Sequence, residues 1–161
     1  MEQEQIWRRL DGTIVMIPIE DELRTAIVRE KESGHELKVC IGTDSQVKAK
    51  LTEFATVIVF IRKRKGGFMY IHDDHSRQKM SIRQRMLKEV ARSIDVAYSL
   101  TGLFTAYNVD MEVHVDINTH PGFKSNDALS EAMSYILGMG FAFKAKPDAF
   151  ASSNCANKMV Q

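Results

Sequence analysis

The chain has 161 residues, 44% of them hydrophobic and 27% charged, with a formal net charge of +1. That is apolar material for one substantial core and too little length for two typical domains, so residues 1–161 are expected to form a single domain. The near-neutral charge excludes a globally basic polyanion magnet but not a local basic patch, so partners must be argued from sites.

The opening Met1-Glu-Gln-Glu-Gln lacks a basic segment followed by an apolar one. No stretch approaches about 18 uninterrupted apolar residues, so the chain is expected to be cytoplasmic with no membrane partner. The cysteines, Cys40 and Cys155, match no zinc or disulfide spacing and read as buried thiols.

From Pro18 the apolar residues Ile19, Leu23, Ala26 and Ile27 have helical spacing, with acids Glu20, Asp21 and Glu22 in the first turn. A helix to about Glu32, closed by Gly34, is predicted within an N-terminal extension, 1–34, that precedes a core of 37–161. Leu37 to Thr43 reads as a strand, and Phe54 to Arg62, β-branched and almost wholly apolar, as a central one. Lys65-Gly66-Gly67 marks a turn into a third strand, Phe68 to Ile71. From Ser81 the residues Ile82, Met86, Val90, Ile94, Ala97 and Thr101 share one helical face, which makes this the longest helix. Met111 to Ile117 is a strand, Asn126 to Leu137 a helix ended by Gly138 and Gly140, and Phe141 to Ala145 a last strand. Pro147 opens a terminal helix, Asp148 to about Met159, as its fixed φ allows. After the leading helix the order is β β β α β α β α, an α/β fold with a mixed five-stranded sheet and helices on both faces, the ribonuclease H order.

Two predicted strands end in carboxylates, Asp44 and Asp116. Cys40, Gly42 and Asp44 share a face of the first strand, as do Glu112, His114 and Asp116 of the fourth. If these strands run side by side in parallel, the aspartates meet at their carboxyl ends, where open α/β sheets place their sites. Cys40 and Gly42 leave room for a closely packed helix, and the terminal helix, with Ala149, Ala151, Ser152, Ser153 and Ala156, is suitably small. Glu89 lies at the rim of the long helix's apolar stripe, between Arg85 and Arg92, which either pair with it or serve as phosphate contacts. Three converging carboxylates repel one another unless divalent cations sit among them. Mg²⁺ or Mn²⁺ is the cofactor expected of hard oxygen ligands, and phosphodiester hydrolysis the chemistry.

The ordered set Ile41-Gly-Thr-Asp44-Ser-Gln46, Val115-Asp116-Ile-Asn118, Ser125-Asn126, Gly138-Met-Gly140-Phe141 and Lys146-Pro147-Asp-Ala149 with Ala151-Ser152-Ser153 resembles the YkuK-type family of ribonuclease H-like proteins, from about Ile19 to the C-terminus. The resemblance implies the ribonuclease H fold, with Asp44, Glu89 and Asp116 as its first-strand, first-helix and fourth-strand acids. It also implies that Asn157 stands where the pattern has an acid on the terminal helix. An amide oxygen can ligate a metal but brings no charge and cannot act as a base.

The expected function is metal-dependent hydrolysis of RNA or another structured nucleic acid, with Asp44, Glu89 and Asp116 catalytic, Asn157 a weak fourth ligand, and Arg85, Arg92 and Lys158 touching phosphates. The alternative is a nucleic-acid-binding module that has lost hydrolysis through Asn157. Plainer readings accompany other motifs. His72-Asp73-Asp74-His75 is expected to be a loop cluster rather than a metal site. His114 is either a satisfied structural histidine or an aid to proton transfer. Arg62-Lys-Arg-Lys65 is a hairpin tip, suited to phosphates if it lies beside the site and otherwise a solvated edge. Ser45 and Ser153 lack an activating base and are not nucleophile candidates.

Overall fold

The computed structural model describes residues 4–118, 129–146 and 148–161. The elements are β1 (Arg8–Arg9), α1 (Ile19–Glu32), β2 (Leu37–Lys48), β3 (Leu51–Arg62), β4 (Gly67–Ser76), α2 (Ile82–Ala106), β5 (Asp110–Asn118), α3 (Leu129–Gly138) and β6 (Ala142–Lys146). A π-helical turn, Ala151–Ala156, then runs into a short helix α4, Asn157–Val160. The strands form one sheet in the order β1-β4-β3-β2-β5-β6. β2, β3 and β4 make the expected antiparallel meander, and β2–β5 and β5–β6 are parallel. This is the mixed, ribonuclease H-like architecture anticipated above, with one strand more: β1 pairs with β4, because Trp7 beside it is drawn into the core at 2% exposure.

The sheet separates two apolar clusters. Leu37, Val39 and Ile41 face α1, α2 and α3, which contribute Leu23, Ile27, Ile94, Phe104 and Ile136 to the main core. On the other face Cys40, Val57, Val59 and Ile71 meet Ala151 and Ala156. With both faces covered, β3 is continuously buried from Phe54 to Phe60 and shows no alternation. α2 starts at a capping box, in which the Ser81 hydroxyl accepts from the Gln84 N–H and the Gln84 side chain accepts from the Ser81 N–H.

Several boundaries depart from expectation. β4 continues through His72-Asp73-Asp74-His75, which is therefore strand rather than loop, because β3 starts early enough to pair with it. The terminal helix is not a regular α-helix: its first part is π-helical. Asn126 and Pro147, expected to open helices, and Ser125 lie outside the described residues. Among the described residues, no helix is long and apolar enough to cross a membrane.

Candidate functional site

β2 and β5 run in parallel with Gly42 opposite His114, and two residues further along each strand stand Asp44 and Asp116. Alternation puts Asp44 on the face of Gly42, toward the π-helical turn, and Ser45 on the face of Ile41, toward α2. Gly42 is required here, because a Cβ would lie 2.5 Å from the Ser152 amide nitrogen and 2.7 Å from the Ala151 carbonyl carbon. The missing side chain lets the terminal segment lie on the strand, and this brings Asn157 to Asp44.

Each carboxylate finds a different partner. Asp44, 4% exposed, accepts from Asn157 Nδ2 at 2.7 Å and from the Ser45 N–H at 2.9 Å. Glu89, 3% exposed, accepts from the Ser45 hydroxyl at 2.6 Å. Asp116 Oδ1 lies 3.0 Å from Lys146 Nζ at the end of β6. A buried hydroxyl chain holds α2 in place one residue before Asp44. Thr43 donates to Thr56 at 3.0 Å, which leaves Ser93 as donor to Thr43 at 2.7 Å.

The acids also act on one another. Burial, then the charge of Asp44, pushes the Glu89 carboxyl well above its ordinary value, and Asp116 adds to the rise. Burial likewise raises Asp44, with Asp116 adding to the rise, and the Asn157 hydrogen bond and Lys146 oppose it. The fold therefore brings Asp44, Glu89 and Asp116 within mutual electrostatic reach, at a point where desolvation disfavours charge. A divalent cation with hard oxygen ligands fits this donor set, since it relieves both the repulsion and the burial of charge.

The other sequence candidates fall differently. Arg85 lowers the Glu89 carboxyl through its charge. Arg92 turns aside: its guanidinium lies 3.6 Å from the centre of the Phe54 ring and donates to Asp74 at 3.0 Å. Lys158 is exposed on α4, one residue past Asn157. The basic tip after Arg62 is at the far end of the sheet, because Arg62 pairs with Leu37 at the start of β2, about 23 Å from Asp44 along the strand. Arg62 itself is bound to Glu30 and Lys63 to Glu36, which leaves the solvated-edge reading. In the His72–His75 run, His72 bonds the Ile6 carbonyl, Asp73 pairs with Arg8 and Asp74 with Arg92, so these side chains are tied to separate neighbours.

Sequence reasoning did not anticipate Ser45 as the partner of Glu89, nor Lys146 as that of Asp116. It also missed a cluster beside the site, where ligating atoms of Cys40, Glu112 and His114 lie within 4.8 Å of one another. Hydrogen bonds account for that cluster. His114 Nδ1 accepts from the Ala151 N–H at 3.1 Å, so its proton is on Nε2, which donates to Glu112 at 3.0 Å. Glu112 in turn pairs with Lys38 at 2.6 Å. Both ring nitrogens are engaged, burial holds His114 below its ordinary pKa, and burial pushes the Cys40 thiol up to about 12. The set ties the π-helical turn to β5 as a neutral structural histidine does, and offers a cation neither a thiolate nor a free imidazole nitrogen.

The family model described as ribonuclease H-like matches residues 21–161. The chain is also similar to "Uncharacterized protein YkuK" of Bacillus subtilis (strain 168), with 30% identity over 155 residues, 88% of this chain and 88% of that protein. No solved structure matches it.

Proposed function

For a chain that belongs to the ribonuclease H-like family, in its YkuK-type branch, we propose the function of a single-domain, Mg²⁺- or Mn²⁺-dependent nuclease acting on RNA or another structured nucleic acid. The observation that carries this reading is that parallel β2 and β5 set Asp44 and Asp116 two residues past the Gly42–His114 pair while Ser45 bonds Glu89 of α2, with Asp44 and Glu89 raised by burial, Glu89 also by the charge of Asp44, and both by that of Asp116. These three would hold the metal. When bound, the metal supplies activation of a water and neutralisation of charge on the scissile phosphodiester.

The protein's own groups then have separable roles. Ser45 orients Glu89 through its hydroxyl and Asp44 through its amide, so one residue aligns two ligands from opposite faces of β2. This reading assigns phosphate contacts to Arg85, whose charge acts on Glu89, and to exposed Lys158, while Arg92 keeps Asp74 and Phe54 as its partners. Asp44 and Glu89 are buried and Asp116 is half-buried, so on this reading a nucleic-acid strand approaches from the Asp116 side.

A second reading, a binding module without hydrolysis, is favoured by one detail. Asn157 turns its nitrogen to Asp44 while its oxygen accepts from Gln161 at 2.8 Å. In this orientation it competes for Asp44 as a donor and does not ligate.

The deciding experiment incubates purified protein and an Asp44→Asn variant with end-labelled RNA, RNA/DNA hybrid, single-stranded DNA and branched DNA, in Mg²⁺, Mn²⁺ or EDTA. Cleavage that requires metal and vanishes in the variant is the expected result. Equal cutting by both proteins, or none by well-folded protein, would overturn the nuclease reading. In the latter case salt-sensitive binding to the same probes would identify the module.

A further inference from the structure

The residue opposite the acids on the edge strand carries a further inference, which rests on the metal-centre reading above. Lys146 ends β6 with its Nζ 3.0 Å from Asp116 Oδ1. It arrives there through a break in register. His114 pairs with Lys144, but the next pair is Asn118 with Lys146, so Val115, Asp116 and Ile117 of β5 stand against Ala145 alone. Unbroken pairing would set Lys146 level with Asp116. The bulge carries the lysine past it, and the ammonium reaches back. Bulges of this kind re-aim side chains at sheet edges and beside active sites.

The ammonium makes its ion pair with Asp116. Its side chain is 40% exposed, whereas that of Asp116 is 13% exposed, so the cation enters the site from the solvent side on a flexible stem. Lysine suits such a role, being a compact point charge that makes no bidentate lock. Among the described residues Asn157 gives Asp44 a hydrogen bond without charge, Ser45 gives Glu89 a hydroxyl, and the charge of Arg85 acts on Glu89.

We propose that Lys146 is a tethered counter-cation of Asp116, which holds the site together without metal and is displaced when a divalent ion binds. Metal affinity is then set by a competition, in which two charges on one ion replace a single charge attached to the chain. Loss of the lysine strengthens metal binding and weakens the metal-free fold, whereas loss of a ligand weakens metal binding.

The test compares wild type, Lys146→Gln, Lys146→Arg and Asp116→Asn by calorimetric titration with Mn²⁺ and by thermal melting with and without Mn²⁺. Expected for Lys146→Gln are Mn²⁺ binding about tenfold tighter, a lower metal-free melting temperature and its recovery on adding Mn²⁺. Lys146→Arg keeps the charge and stays near wild type, and Asp116→Asn loses Mn²⁺ binding. Should Lys146→Gln bind Mn²⁺ no tighter than wild type, or Lys146→Arg gain as much affinity as Lys146→Gln, the counter-cation role is wrong while the metal centre stands. If neither wild type nor Lys146→Gln binds Mn²⁺, the metal-centre reading fails and takes this inference with it.

Discussion

At the scale of single residues the site turns on which atom of Asn157 faces Asp44. The donor is Nδ2, at 2.7 Å, so the amide satisfies a buried carboxylate that would otherwise meet Asp116 with less support. Asn157→Asp replaces that donor with a like charge. The metal-free protein is expected to lose about 2 kcal/mol, and Mn²⁺-dependent cleavage of RNA is expected to appear or rise. Melting curves with and without Mn²⁺, run beside the cleavage assay, check both halves, and no change in metal affinity or cleavage would remove Asn157 from the site. Far from the acids, Glu30 accepts from Arg62 at 2.7 and 2.8 Å and lies 2.6 Å from His35 Nδ1. Arg62, opposed by burial and helped by His35, holds this carboxyl down from 4.5 to about 2. A depressed acid stabilises the fold above its unfolded pKa and loses that contribution as pH falls through its folded one. The network should therefore contribute its full amount above about pH 4.5 and lose it progressively toward about pH 2. With allowance for solvent around Arg62, the loss is about 2 kcal/mol. Urea midpoints measured across this window should slope for wild type, and Glu30→Gln should flatten the slope.

At the scale of elements, the terminal segment decides how the site closes. The small residues Ala149, Ala151, Ser152 and Ala156 already pointed to a helix lying close on Cys40 and Gly42, and Ala151 and Ser152 do lie against Gly42. That this segment winds as a π-helix over Ala151–Ala156 was not legible, because side-chain spacing over so short a stretch cannot separate one helical pitch from another. Such turns are frequent at functional sites. Gly42→Ala tests the contact: the new Cβ would meet backbone atoms of Ala151 and Ser152, which cannot rotate away, so the segment has to retreat and take Asn157 with it. A loss of about 1–3 kcal/mol is expected in denaturant melts, together with altered Mn²⁺ affinity. Ser81→Ala gives the contrast, losing about 1 kcal/mol through the α2 cap with Mn²⁺ binding unchanged.

At the scale of the whole molecule, the sheet order sorts charges that the chain leaves interleaved. Asp44 and Asp116 lie toward the carboxyl ends of β2 and β5, while the Arg62 to Lys65 tip sits at the opposite end of the sheet, since β3 returns antiparallel to β2. The N-terminal segment belongs to the same body: β1 extends the sheet, Trp7 is buried and its ring lies 5.4 Å from that of His72. Trp7→Ala is expected to cost about 3–5 kcal/mol in urea unfolding. A loss below about 1 kcal/mol would mean that the segment does not hold β4 in solution.

The chain by itself determined where the main helices and strands lie, because apolar period is a local property, but not β1, the strand through His72–His75 or the pitch of the terminal segment. It also put Asp44 and Asp116 on one face of two strands, because a strand alternates faces residue by residue, and parallel pairing brings them level, although β2 runs on past Asp44 to Lys48 rather than ending there. Tertiary structure alone decided what each acid touches. Ser45 reaches Glu89 because α2 crosses β2 there, Asn157 reaches Asp44 because Gly42 admits the terminal segment, and Lys146 reaches Asp116 because β5 and β6 slip out of register. Those contacts join residues distant in sequence through the angle of a helix and a break in a ladder, and neither leaves a periodic trace in the amino acids that produce it.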